Sequence, residues 1–530
     1  MLLDILRYFR LLEPTILVPV ILYFSWRIWA FTLKPLIWPA EPKELPYWFP
    51  CHAVAFFRGS DNLIERGLDY VNRSYEPFAL QLLGKKLYIV TSATDVTTVF
   101  RDNVSLGFDG NLAQLLRSFG VTETAFKKAW HKPKPGDWCY LPGPDFNPKQ
   151  LDMIHLVEDA WKRQLLPGEY MDEMSRVFLE AIKDILESDS LDFCRVASHP
   201  LATNGTATSH RFSLYSLCRH AMSDGSTRSL FGHHLHEIHP KVVADIAEFN
   251  DHAWMVVYQL PHLFRRAATR PGRRLKDAII EFIRQHDHDD TTASWVIQRA
   301  LAAYDLFDID MESRASMTLM SFWAAISNEY NVAFWVLAIL LWDGSLMQHV
   351  QEETKGAWKN GRLDVKHLCA NSPWLDAVFY ETMRLRNGAG AIRIVLEKFE
   401  LAGKVLQPGN AILLPARQLH TNGNVWGPDV WEFDPSRFLK KKSLARHASY
   451  RPFGGGITYC PGRFLAKEEV YGFIALLFHH FEVTLAPTDA SGNKQRFPLF
   501  NDTVPSLGVN GPRDDMDLII DMKRIVPPVS

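Results

Sequence analysis

The run Phe453-Gly454-Gly455-Gly456-Ile457-Thr458-Tyr459-Cys460-Pro461-Gly462-Arg463 sets one cysteine at the tip of a glycine-rich turn, ahead of a helix that begins near Arg463. Consecutive glycines admit positive-φ backbone and close approach of the main chain to a flat ligand. Amides of such a turn point at the cysteine sulfur and favour its thiolate. A thiolate can ligate a metal, and as the proximal ligand of haem iron it favours O–O cleavage. Three glycines alone suit a plain turn around a structural cysteine at least as well, so the weight falls on the wider spacing.

That spacing, F-x-x-G-x-x-x-C-x-G, resembles the cytochrome P450 family. The resemblance implies haem b (iron protoporphyrin IX) with Cys460 as its axial thiolate ligand, Phe453 packed beside the sulfur, and Gly456 and Gly462 in the cradle. Upstream, Glu381-Thr382-Met383-Arg384 lies in a helix-like segment, Trp374 to Arg386. Residues three apart share a helix face and can pair, but a bare E-x-x-R means little. Its order gives it weight, because Phe433-Asp434-Pro435-Ser436-Arg437-Phe438 follows it and precedes the cysteine turn. By motif match, Glu381, Arg384 and Arg437 would form the buried network that supports the haem side of this family's fold. Arg393 matches the position whose planar, permanently charged guanidinium pairs with a haem propionate. Thr458 stands where many members carry Arg or His as a second propionate partner.

On the opposite haem face the sequence departs from the family's common A-G-x-(D/E)-T. The aligned run is Ala324-Ala325-Ile326-Ser327-Asn328, with Ser327 in place of the acid and Asn328 in place of the threonine. The pattern W-A-x-x-x-N-x-x-x-x-x-F-W, from Trp323 to Trp335, is similar to the group holding cholesterol 7α-hydroxylase, sterol 12α-hydroxylase and prostacyclin synthase. That group contains both oxygen-activating hydroxylases and a synthase that rearranges an endoperoxide, so three readings stand. The first is a haem-thiolate monooxygenase in which Ser327 and Asn328 organise oxygen and protons. The second is a self-sufficient isomerase, lyase or dehydratase, and the third a non-catalytic haem-binding protein. Glu329 falls about 100° further round the helix than Asn328.

These residues need a scaffold. Helix-like stretches dominate: Asp152 to Gln164, Met171 to Glu187, Val242 to Gln259 and the long apolar run Met317 to Leu341. Strand-like signals are few, at Lys86 to Thr91, Ile392 to Leu396 and Ala411 to Leu414. The fold class is mainly α (α+β): a large helical domain with a small β-rich portion, which the resemblance makes a P450 fold. Ser198 to His210 and Ala486 to Asp515 read as irregular loops, and Phe108 to Val121 and Trp254 to Phe264 are candidates for a pocket roof.

The apolar stretch Thr15 to Phe31, with Trp26 and Trp29 suited to an interface, predicts an N-terminal membrane anchor over 1–33. Pro35, Pro39, Pro42, Pro46 and Pro50 predict a stiff hinge over 34–50, leaving 51–530 as the catalytic domain. The resemblance implies an endoplasmic reticulum membrane protein with this domain on the cytosolic face. Six scattered cysteines without a C-x-x-C pair suit reduced thiols there. The 58 basic and 60 acidic residues nearly cancel, which argues against a nucleic-acid partner. As a monooxygenase the chain would take NADPH electrons through a separate reductase, with cytochrome b5 as a further partner class, membrane lipid around its anchor and a lipophilic small-molecule substrate. Lys440-Lys441-Lys442, Arg446 and Arg451 form a basic run that suits an acidic reductase or an ordinary solvated loop.

Overall fold

A computed structural model describes residues 14–48, 51–188, 191–196, 210–285, 292–514 and 516–525. The chain divides into two compact units.

The first unit takes in the chain to Phe108 together with Gly390–Leu419. Its six-stranded sheet runs in the order Lys43–Glu44, Phe78–Leu82, Lys85–Ile89, Ala411–Pro415, Gly390–Val395, Leu106–Gly107. Phe78–Leu82 and Lys85–Ile89 form a hairpin across Leu83 and Gly84, both at positive φ (48° and 87°). That is the geometry of a tight turn whose twist matches the strands. Lys85–Ile89 pairs in parallel with Ala411–Pro415, which pairs antiparallel with Gly390–Val395. Side chains alternate across the pleat, so Tyr88, Val395, Ile412 and Leu414 meet Val96, Val99 and Phe100 in one buried cluster.

At the head of this unit, Pro14–Ile28 is α-helical, Trp29–Leu33 makes a wider turn and Lys34–Ile37 is helical again. Leu17–Ile37 is 21 residues long, apolar and wholly unburied, which is the length a bilayer span needs. Within the proline-rich 34–50 the chain adds one short strand, Lys43–Glu44, parallel to Phe78–Ala79.

The second unit, Asp109–Ala389 with His420–Ser530, is predominantly helical. Met153–Leu165, Glu169–Glu187, Leu214–Phe231, Val242–Val257 and Arg266–Gln285 present apolar stripes to two large buried clusters. The apolar run expected as one helix is two, Met311–Ile326 and Glu329–Trp342, interrupted at Ser327 and Asn328. Asp310 caps the first by accepting Ser313 N–H at 3.0 Å. The second is buried on every side from Glu329 to Leu340, which explains why its sequence is apolar all round. A three-stranded sheet, Phe481–Leu485, Ile519–Arg524 and His210–Ser213, completes this unit. The expected loop Ser198–His210 lies outside the described residues save for His210, which opens a strand. The irregular stretch from Ala486 carries isolated bridges Thr488–Lys494, Phe500–Pro512 and Asn387–Val509.

Candidate active site

Cys460 sits in the turn the glycines suggest. Gly454 and Gly456 have φ of +73° and +62°, the left-handed region that favours glycine. Cys460 N–H donates to Phe453 O at 3.0 Å and Tyr459 N–H to Gly456 O at 3.1 Å, closing the turn on itself. Thr458 donates its hydroxyl to Gly455 O at 3.2 Å. The helix Arg463–His480 follows directly, with Gly462 as its N-terminal cap residue. Burial pushes the half-buried Cys460 thiol up, while the N–H groups of Gly462 and Arg463 and the Arg463 charge act the other way. Arg463 is fixed by donating to Cys460 O at 2.9 Å, with its guanidinium over Tyr459 and Phe464. Gly462 is not forced by crowding, because a Cβ there would meet Cys460 Sγ and Leu165 at 3.8 Å, an ordinary contact. Phe453 packs on the larger buried cluster of this unit.

Glu381, Arg384 and Arg437 come together. Arg384 donates to both Glu381 oxygens, at 2.8 and 2.7 Å, with both side chains fully buried. Its remaining donors reach His420 O, Val430 O and Glu432 O at 2.9, 2.7 and 3.3 Å. Arg437 Nε lies 3.5 Å from Glu381, and its Nη2 pairs with Asp429 at 2.6 Å. The Arg384 group connects to the cysteine turn. His420, whose carbonyl Arg384 holds, accepts Arg451 N–H on its ring at 2.8 Å, and Asn387 donates to Pro452 O at 2.6 Å. The backbone entering the turn is thereby pinned at Arg451 and Pro452. Sequence reasoning missed His420, Asn387 and Asp429, which carry no motif of their own.

Arg393 belongs to the first unit. It is fully buried in the strand Gly390–Val395, donates to Ile392 O at 2.8 Å, and holds its guanidinium 5.3 Å from the Phe100 ring and 6.0 Å from Phe108. Burial lowers its pKa from the usual guanidinium value.

At the break between the two central helices, Asn328 Oδ1 accepts Val509 N–H at 2.9 Å and Nδ2 donates to Ser327 Oγ at 3.0 Å. Ala324 and Ala325 are exposed while Trp323 and Ile326 beside them are buried, so this stretch opens on one side. Phe119 stands 5.9 Å from both Phe249 and Trp323, which joins the helix Asp109–Phe119 and the helix Val242–Val257 to the first central helix. Glu329 is buried. It accepts from Ser226 and is hydrogen-bonded to Glu469, and burial holds both carboxyls above the usual range.

The donor set fits a haem-thiolate. Among the described residues no group of three or more His, Cys, Asp or Glu could hold a metal ion by itself. Cys460, with the Gly462 and Arg463 N–H groups on its sulfur, would hold such a group through a thiolate.

The model of the cytochrome P450 family matches residues 175–506, and the chain belongs to that family. The cytochrome P450 monooxygenase calL of Penicillium decumbens is 25% identical over 485 residues, spanning 86% of this chain and 87% of that protein. The 7-alpha-hydroxycholest-4-en-3-one 12-alpha-hydroxylase of Homo sapiens is 25% identical over 362 residues, spanning 58% of this chain and 67% of that protein. The fold is similar to retinoic acid bound cyanobacterial CYP120A1, with a TM-score of 0.63 at 18% identity over 92% of this chain and 99% of that one. The chain is an enzyme of the P450 monooxygenase class, and its family implies a haem-thiolate cofactor.

Proposed function

We propose that this P450 oxidises a lipophilic small molecule of the steroid, terpenoid or polyketide-like kind in specialised metabolism, using NADPH electrons from a separate reductase. Leu17–Ile37 anchors it in the endoplasmic reticulum membrane, and the catalytic domain, 51–530, works on the cytosolic face. The observation that carries the reading is the Cys460 turn: a thiol with two backbone N–H groups on it, in a loop whose entry is pinned by a buried Glu–Arg group.

Cys460 holds the haem iron, Phe453 shields the sulfur, Gly456 and Gly462 leave room for the ring, and Arg393 takes a propionate. When bound, the haem supplies an iron centre whose thiolate ligand favours cleavage of the O–O bond. The residues do the rest. The Gly462 and Arg463 N–H groups temper the thiolate's charge, and the Glu381–Arg384–Arg437 group keeps the turn in place. Ser327 and Asn328 supply hydroxyl and amide groups that orient protons on the other side. The relatives' names, a sterol hydroxylase among them, support a lipophilic substrate.

Turnover of sterol and terpenoid candidates in reconstituted membranes, with and without NADPH and reductase, tests the reading. Product that depends on both is expected. Turnover unchanged without either would overturn it in favour of a self-sufficient isomerase or lyase.

A further inference from the structure

Asn328 does not act alone. Three side chains, at 328, 331 and 335, meet one short loop: Asn328 Oδ1 accepts Val509 N–H at 2.9 Å, Asn331 Nδ2 donates to Val509 O at 2.8 Å, and Trp335 Nε1 donates to Asn510 O at 2.7 Å. Asn331 and Trp335, four apart, share one face of the second central helix, and Asn328 is the residue just before that helix begins. The loop is tied from other sides as well. Ser506 donates to Gly508 O at 2.8 Å, and Gly388 N–H donates to the same carbonyl at 2.9 Å. A Cβ at Gly508 would stand 1.7 Å from Asn328 Oδ1, so the approach is as close as a glycine allows.

This docking fixes which way the Asn328 amide faces. Val509 offers an N–H, which only the amide oxygen can accept, so the amide nitrogen is the end left for Ser327. Nδ2 donates to Ser327 Oγ at 3.0 Å. A hydroxyl whose oxygen is engaged by a donor keeps its own proton to give, and among the described residues no acceptor takes it. Bonds in series polarise one another, so the Val509 N–H strengthens the amide as a donor and the amide strengthens the hydroxyl as a donor. Ser327 lies three residues beyond the exposed Ala324, on the side where the helix opens.

We propose that Asn328 is a positioning residue which, held by Val509, fixes Ser327 as the hydrogen-bond donor to the reacting oxygen. The proposal rests on the monooxygenase reading and assigns separate tasks within it. Ser327 touches the reacting atoms, whereas Asn328 orders the serine and the loop.

Asn328→Asp is the discriminating variant. An ionised Asp keeps an oxygen for Val509 N–H but replaces the amide donor with an acceptor, which draws the Ser327 proton back onto itself. Two readouts on the haem-loaded full chain decide the matter. The first is hydrogen–deuterium exchange of residues 501–513. Asn328→Asp and Ser327→Ala should exchange like the parent, and Asn328→Ala about five- to tenfold faster, for the loss of one hydrogen bond. The second is the C–O stretching frequency of the reduced carbon monoxide complex, which senses a nearby donor and needs neither substrate nor reductase. Ser327→Ala and Asn328→Asp should shift it upward by the same amount, and Ser327→Thr should restore it. An unmoved frequency in Ser327→Ala, or an Asn328→Asp frequency equal to the parent's, overturns the proposal, as does parent-like exchange in Asn328→Ala. Failure of NADPH-dependent turnover with both readouts as expected would sink the monooxygenase reading instead, leaving Ser327 as a donor in a self-sufficient reaction.

Discussion

Arg384 grips both oxygens of Glu381, at 2.8 and 2.7 Å, in a place that water does not reach, and spends its other donors on three main-chain carbonyls. Five hydrogen bonds from one planar fork leave no room for a lysine, whose ammonium has three donors and no plane. Removing one partner leaves the other charge buried and unpaired, at a cost of about 3–5 kcal/mol. Arg384→Ala and Glu381→Ala should therefore yield little folded, haem-loaded protein, and Arg384→Lys should recover little of it. Haem content per folded chain, with circular dichroism on melting, measures this; near-normal loading of Arg384→Lys would contradict it.

A milder lesion in the same chain of contacts should separate folding from ligation. Asn387 donates to Pro452 O at 2.6 Å, next to the cysteine turn but outside the charged group. Asn387→Ala should cost about 1–2 kcal/mol in stability. It should also raise the share of protein whose reduced carbon monoxide band is not that of a thiolate haem, because the turn's entry is loosened. An unchanged share would mean that the turn holds without that anchor.

Gly508→Ala tests the close approach at the helix break. The added carbon would sit 1.7 Å from Asn328 Oδ1, so the loop must move, at a cost of about 1–3 kcal/mol for overpacking. A lower melting temperature and faster exchange confined to residues 501–513 are expected.

Glu329 and Glu469, both buried and hydrogen-bonded to each other, set a pH dependence. Burial raises each above its ordinary carboxylate value, and the neighbouring charge of the other raises Glu469 further. A carboxyl raised by folding stabilises the fold fully below its unfolded pKa, and that contribution is lost as pH climbs through the folded pKa. Glu469→Gln keeps a hydrogen-bonding partner for Glu329 that never ionises. Its melting temperature should fall less than the parent's between about pH 5 and pH 8. Parallel curves for the two proteins would show that the pair does not titrate in that window.

The scaffold was largely legible in the sequence. The strands near Lys86, Ile392 and Ala411 and the helices at Asp152, Met171 and Val242 announce themselves by period, and the family motifs by order. The break at Ser327–Asn328 was not, because a helix buried on every side has no amphipathic pattern whose interruption could be seen. Contacts between residues far apart in the chain leave no local trace either. Val509 lies 181 residues from the asparagine it binds, and His420 is 36 residues from Arg384. Helix geometry puts Glu329 about 100° round from Asn328; that its carboxyl meets Glu469 and Ser226 depends on two other helices, which only the packed structure brings in.

The central claim is that Cys460 binds haem iron as a thiolate. The absorption spectrum of the reduced carbon monoxide complex reads this directly. The parent protein should show the red-shifted Soret band of a thiolate haem, and Cys460→Ala should lose it while Asn328→Ala retains it. A folded, haem-containing parent without the shifted band, or a Cys460→Ala protein that keeps it, would contradict the account.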